Sequence, residues 1–323
     1  MIELNVWGWT IALYLFLGGL GSGTFITATI LHVLNPAANR KTVVASAWIA
    51  IVCLAVGLLL LLTDLTAPLR AFLFWQSFSN FSSWMAIGAW LLLFAMIFMA
   101  ASALMLTEKT NQLLFKGRFA AECTTIKVIT AIASVLCLCV AGYTGILLMS
   151  APGIAFWNTP LLPCLFTVSA LDTGIALVVI LSTLLQKDDE TARSYRHKLE
   201  IVVLVLVAVE TAVFVAFASL MASGNAASFA TGAAEAQSAI DAITTLMAGE
   251  YAGAFWVLFV GLGLAAPFVA AIAGLASQKK YAGAIGVIGA CCALVGGCAL
   301  RFLILFAGQH GDILVTTLQS IVF

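Results

Sequence analysis

Five side chains able to move or hold protons stand inside otherwise apolar stretches: Asp64, Tyr143, Asp172, Glu210 and Arg301. An ionisable group is costly within a membrane span, and its presence there marks a candidate functional site. Asp64 ends one such stretch, and Arg70 follows in the next connection. At 1.5 Å per residue, Tyr143 and Arg301 fall roughly 10 Å inside the same end of their stretches, with Asp64 and Arg70 slightly shallower. A phenol and a carboxylate at that depth, beside cations, suit a quinone head group. Its carbonyl oxygens accept hydrogen bonds, and its redox conversion requires proton donors and acceptors within reach. The opposing reading is a structural Asp64–Arg70 salt bridge, with Tyr143 merely interfacial. Asp172 and Glu210 lie near mid-membrane, where they could relay protons or simply be hydrogen-bonded within a bundle.

The elements that must position these groups follow from composition. Of 323 residues, 63% are hydrophobic and 9% charged, whereas soluble domains carry about a quarter charged residues. An ordinary globular enzyme is thereby excluded. Fourteen Lys and Arg balance fourteen Asp and Glu, so no basic surface for nucleic acid is expected. Spanning a bilayer takes roughly 20 apolar residues per helix. Eight stretches qualify, at about 7–33, 44–62, 83–106, 125–150, 161–185, 199–222, 252–275 and 282–307. Ten-residue alternating strands are absent, so the expected fold is all-α: a polytopic membrane protein with eight transmembrane helices in one integral domain, 1–323. Met1–Asn5 carries Glu3 and no base, and the first stretch is too long for a signal peptide, so it reads as the first helix.

Charge placement predicts the orientation. Arg40, Lys41, Lys109, Lys116, Arg118, Lys127, Lys187, Arg193, Arg196, Lys198, Lys279 and Lys280 all follow odd-numbered stretches; Arg70 and Arg301 do not. The positive-inside rule then places the odd connections in the cytoplasm and both termini on the outer, periplasmic side. Trp7, Trp9, Trp75, Trp84 and Trp157 fall where an outer aromatic belt would sit. The long connection 223–250 is expected outside, with a short amphipathic helix over Ala233–Met247.

Cofactor ligands are scarce. Eight cysteines lie within or at the ends of the stretches without a C-x-x-C pair in a connection, and read as small buried hydrophobes. Three histidines, His32, His197 and His310, fall short of the four axial ligands of a di-haem cytochrome. His32 and His197 read as interfacial and solvated, so no metal and no haem is expected. Gly18-Gly19-Leu20-Gly21-Ser22-Gly23 resembles a phosphate loop, but it sits in an apolar span with no following Lys. Gly19 and Gly23 read instead as a G-x-x-x-G packing ridge, and Gly283, Gly286, Gly289, Gly296 and Gly297 repeat the device in the last stretch.

Several motifs are similar to the NrfD/PsrC family: Trp9–Gly23 (WTIALYLFLGGLGSG), Asp64-Leu65-x-x-Pro68-x-Arg70, Phe81-Ser82-Ser83-Trp84-Met85-x-x-Gly88-x-Trp90 and Tyr143-Thr144-Gly145-x-Leu147-Leu148. Trp157-Asn158-Thr159-Pro160 and Leu165-Phe166-x-x-Ser169-Ala170-x-x-Thr173-Gly174 extend the likeness through the fifth stretch. The resemblance implies a haem-free, quinone-reactive subunit of a respiratory oxidoreductase in the bacterial inner membrane, with menaquinone or ubiquinone as its quinone. The implied partners are a ferredoxin-like iron–sulfur subunit and a molybdopterin catalytic subunit, or a multihaem cytochrome. No catalysis is expected of the isolated chain. The resemblance also puts Tyr143 in contact with the quinone and Asp64 and Arg70 at or beside it. Some members use a histidine and an asparagine of the first helix; here Tyr14 is the nearest polar ring. The competing expectation is a proton-coupled secondary transporter with Asp172, Glu210 and Arg301 as its midplane site.

Overall fold

The computed structural model describes residues 7–64, 84–116, 123–151, 154–186, 189–224, 233–276 and 282–309. Among these the regular structure is helical, without strands. The elements are α1 (Trp9–Leu34), α2 (Arg40–Asp64), α3 (Trp84–Leu106), α4 (Glu108–Phe115), α5 (Thr124–Met149), α6 (Leu161–Leu185), α7 (Glu190–Ala222) and α8 (Ala233–Met247). There follow α9 (Ala252–Ala254), a π-helical segment (Phe255–Ala265), α10 (Ala266–Ala276) and α11 (Ala282–Ala307). Eight runs are long and apolar enough to cross a membrane: α1, α2, α3, α5, α6, α7, the continuous run Ala252–Leu275, and α11. Helices satisfy their own backbone polar groups, which a bilayer demands. Large apolar side chains such as Leu93, Phe94 and Ile97 on α3, and Val202, Val205 and Val209 on α7, face outward.

Helix α1 packs against α2, α5, α6 and α11. Its glycines make this possible. A Cβ on Gly23 would collide with the Ala170 backbone, and one on Gly174 with the Gly23 backbone, so α1 and α6 meet main chain to main chain. The hydroxyls of Ser22, Thr24, Thr27 and Thr29 donate to carbonyls four residues back and need no other partner. The glycine run is therefore a packing surface, as its apolar setting implied. In α11, Gly296 meets Gly263 of the π-helical segment, and Gly297 lies against Thr173.

Two groupings emerge. Helices α1, α2, α3 and α5 form a ring in which each packs on the next, as do α6, α7, α10 and α11, and α1 against α6 joins the two sets. The π-helical turns end just before Pro267, which has no N–H to offer the preceding turn. They bring Phe255 and Phe259 against Phe214, which in turn meets Phe217. Helix α8 packs on α7 and α11, burying Ala239, Ala242, Ile243 and Leu246. The Trp256 indole N–H donates to the Met247 carbonyl at 3.0 Å.

Several details depart from the sequence reading. Helix α7 begins nine residues before the apolar stretch, capped by Asp189, whose carboxylate accepts from the Thr191 and Ala192 N–H groups. A 33-residue helix is roughly 50 Å long, more than the hydrocarbon core needs, so polarity does not stop it. Helix α4 occupies the connection after α3, and Glu108 there pairs with Arg40 at 2.7 Å. His32 is 1% exposed, not solvated, because it lies with Leu31 on the packed face of α1, while Ile30, Val33 and Leu34 on the other side are exposed. Trp157 is no belt residue: it is buried, stacks on Trp7 at 5.4 Å, and donates to the Ile304 carbonyl at 2.9 Å. Cys137 is buried, but Cys139, Cys164 and Cys291 are exposed on the bundle's outer surface. Arg70, Trp75, Arg118, Lys187, Lys279, Lys280, His310 and the segment 225–232 lie outside the described residues, as does the side chain of Asp64.

Candidate functional site

Two polar centres form, one in each helix grouping. In the first, α5 carries Tyr143 so that its ring lies directly over Gly88 of α3. A Cβ at Gly88 would overlap the phenol carbon and oxygen. The phenol is thus held where only glycine leaves it room. Tyr14 of α1 is buried and near enough to interact electrostatically with Tyr143. On its other side, Tyr14 meets the α2 backbone around Gly57, where an added Cβ would find the ring at 3.4 Å. The pair of phenols is therefore framed by α1, α2, α3 and α5. Neutral hydroxyls of this kind both donate and accept hydrogen bonds. Asp64 closes α2. Whether it and Arg70 approach Tyr143 falls outside the described residues.

The second centre lies between α6, α7 and α11. Arg301 is fully buried. Its Nη1 donates to Ser169 Oγ at 2.7 Å and the Gly297 carbonyl at 2.9 Å, and its Nη2 donates to the Phe166 carbonyl at 3.2 Å. The guanidinium also stacks over the Phe166 ring at 5.2 Å. Gly19 of α1 clears the space beside Nη2. The Ser169 hydroxyl, already accepting from Arg301, is placed to hydrogen-bond the Glu210 carboxylate. Glu210 interacts electrostatically with both Arg301 and Asp172. Arg301 and Glu210 make no ion pair within 4.0 Å; among the described residues such pairs are Arg40–Glu108 and His197–Glu200. Asp172 Oδ1 and Arg301 Nε are buried without hydrogen-bond partners. A buried network with free acceptor and donor sites can bind water or a transferable proton.

Of the two groupings the sequence offered for Arg301, by equal depth with Tyr143 or as a midplane set with Asp172 and Glu210, the structure has the second. Arg301 belongs with Asp172 and Glu210, not with Tyr143. Ser169 is the member that sequence reasoning passed over. Its signal was present in the spacing: a hydroxyl three residues before Asp172 shares that helix face. No cluster of three or more His, Cys, Asp or Glu suited to a metal ion occurs among the described residues.

Comparison with known proteins decides the family. The family model for "Polysulphide reductase, NrfD" matches residues 1–311. The chain belongs to the NrfD family. The C subunit of polysulfide reductase from Wolinella succinogenes is 33% identical over 318 residues, with 94% of both sequences covered. NrfD of Escherichia coli is 28% identical, covering 95% of this chain and 96% of its own. An NrfD homologue of Haemophilus influenzae is 27% identical, again with 94% of both sequences covered. The protein is accordingly a multi-pass membrane member of the NrfD family. In its Tyr143-Thr144-Gly145 motif the tyrosine faces Gly88, while Gly145 admits the Pro163 backbone at the start of α6. In Ser169-Ala170-x-x-Thr173-Gly174, Ser169 holds Arg301, and Ala170 and Gly174 receive the glycines of α1. Much of what makes this NrfD-family sequence recognisable is thus helix contact, with a few reactive groups set among it.

Proposed function

We propose that this chain is the quinone-reactive membrane subunit of a respiratory oxidoreductase complex. The observation that carries the reading is the Tyr143 phenol held over Gly88 beside a second buried phenol, Tyr14, in an NrfD-family chain. The donor set fits the ligand: phenols donate to quinone carbonyls, and packing fixes Tyr143 with no counter-charge required. A menaquinone or ubiquinone, when bound, supplies the two-electron, two-proton chemistry. Tyr143 orients the head group and donates a hydrogen bond to one carbonyl oxygen. Asp64, at the end of α2, takes or returns the proton, and Arg70 keeps that carboxylate anionic. Asp172, Glu210 and Arg301 form a separate proton path towards the opposite face.

Electrons pass to or from a docked partner, a ferredoxin-like iron–sulfur subunit coupled to a molybdopterin catalytic subunit or a multihaem cytochrome. The relatives' names support a place in a multisubunit reductase. The balance of basic residues supports an inner-membrane orientation with both termini and the quinone end outside. Tyr143→Phe and Asp64→Asn are expected to lower quinol-dependent turnover by about 100-fold or more while the complex still assembles. Unchanged turnover in both variants overturns the reading.

A further inference from the structure

At the end of the bundle formed by the α6–α7 connection, a cavity of about 900 Å³ opens between α6, α7, α10 and α11. Its lining includes Thr183, Glu190, Arg193, His197 and Glu200. Deeper along the same seam lies a chamber of about 30 Å³ lined by Ala176, Val203, Pro267, Ala290 and Ala293. Val179, Glu200 and Gly286 border both spaces. Of these three, Glu200 alone can carry a proton. By volume the chamber admits one water, which takes ~10–15 Å³, and Glu200 is the polar side chain in its otherwise apolar lining.

The position of the Glu200 carboxylate is built by two glycines. A Cβ on Gly274 of α10 or Gly286 of α11 would approach its oxygens to 3.2 and 3.1 Å. Among the described residues, its charged neighbours lie on its own helix. His197 Nδ1 is 3.7 Å away and its ring is mostly exposed. Arg196 turns instead to the carbonyls of Ser182 and Gln186, at 2.9 and 3.1 Å. Glycines face Glu200 from α10 and α11, and the Ser182–Gln186 end of α6 engages Arg196 rather than Glu200. The carboxylate's one ion pair is thus with the mostly exposed His197, at 3.7 Å, while Arg196 is held by backbone carbonyls.

Helical register carries the seam inward. Glu200, Val203, Val207 and Glu210 follow one face of α7, and Val179, Ala176 and Asp172 one face of α6. Gly286, Ala290, Ala293, Gly297 and Arg301 do the same on α11. Ten residues of α7 separate the two glutamates, about 15 Å along the axis. We propose that Glu200 passes protons between the open cavity and the buried Asp172–Glu210–Arg301 centre. A proton from cavity water binds the Glu200 carboxylate, moves to water in the chamber, and is accepted by Asp172, whose Oδ1 is unpartnered. Glu200 returns to its anion, and no electron moves. Quinone chemistry drives this flow, so the inference rests on the proposed function for its driving force, though not for the access route.

The route is tested first in the chain folded in liposomes. A membrane-impermeant thiol reagent is expected to modify Thr183→Cys beyond the native cysteines from one side only. No added modification, or equal modification from both sides, overturns the cavity's role. In the intact complex reconstituted with quinol, Glu200→Gln is expected to lower the protons taken up from that side, per quinol turned over, about tenfold or more. Glu200→Asp is expected to recover most of that ratio. An unchanged ratio in Glu200→Gln, or no such uptake by the unsubstituted complex, overturns the assignment. Failure of the quinone reading shows separately, as turnover that survives Tyr143→Phe, and leaves the thiol labelling untouched.

Discussion

Around Tyr143, helices α1, α2, α3 and α5 bury two phenols, whereas α6, α7 and α11 bury two carboxylates and a guanidinium that interact electrostatically. Every buried Asp, Glu or Arg among the described residues lies on α6, α7 or α11. The two centres solve different problems. A neutral phenol tolerates an apolar setting if one hydroxyl is served, so the first half needs only shape, supplied by Gly88 and Gly57. Buried charge demands partners, so the second half recruits Ser169 and two backbone carbonyls around Arg301. The first centre is defined by what has been left out, and the second by what has been connected.

Substitutions can break that contrast. Arg301→Met removes the donor to Ser169, Phe166 and Gly297 and leaves two buried carboxylates without their cation. A loss of about 3–5 kcal/mol is expected, read from unfolding in a detergent titration. A loss below about 1 kcal/mol would mean that the second centre is no more demanding than the first. Gly88→Ala attacks the first centre sterically: its methyl must displace the Tyr143 ring, at a cost of about 1–3 kcal/mol together with lower quinol turnover. If stability falls but turnover is retained, the ring's exact seat is immaterial to chemistry. Gly18→Ala is the matched control, since its methyl meets Thr144 Cγ2 at an ordinary 3.6 Å. It is expected to stabilise by about 0.5–1 kcal/mol in the same titration, because alanine favours helix. Smallest is Glu108→Ala, which deletes the exposed pair to Arg40. Its effect is expected below about 1 kcal/mol and to shrink in high salt.

How much of this was legible beforehand differs between the halves as well. The spans could be read because each apolar run must cover the membrane by itself, a local requirement. The start of α7 could not, since beyond the membrane a helix is limited by capping, and Asp189 caps it ten residues earlier. Tyr143 stood out as a polar ring in an apolar run, but Gly88, which seats it, looked like any small residue of α3. Arg301 was visible as an exception to the charge pattern, but two groupings stayed open: with Tyr143 by depth, or with Asp172 and Glu210 as a midplane set.

By itself the sequence determined an eight-span helical membrane protein and the few reactive side chains within it, because hydropathy and charge act residue by residue. The tertiary structure alone decided which of them meet. Three-dimensional packing turns α1 glycines onto α6, places Arg301 among Ser169, Asp172 and Glu210, and sets Glu200 in a notch between α10 and α11. Those contacts depend on how helices rotate about their axes, and rotation is set by neighbours distant in the chain.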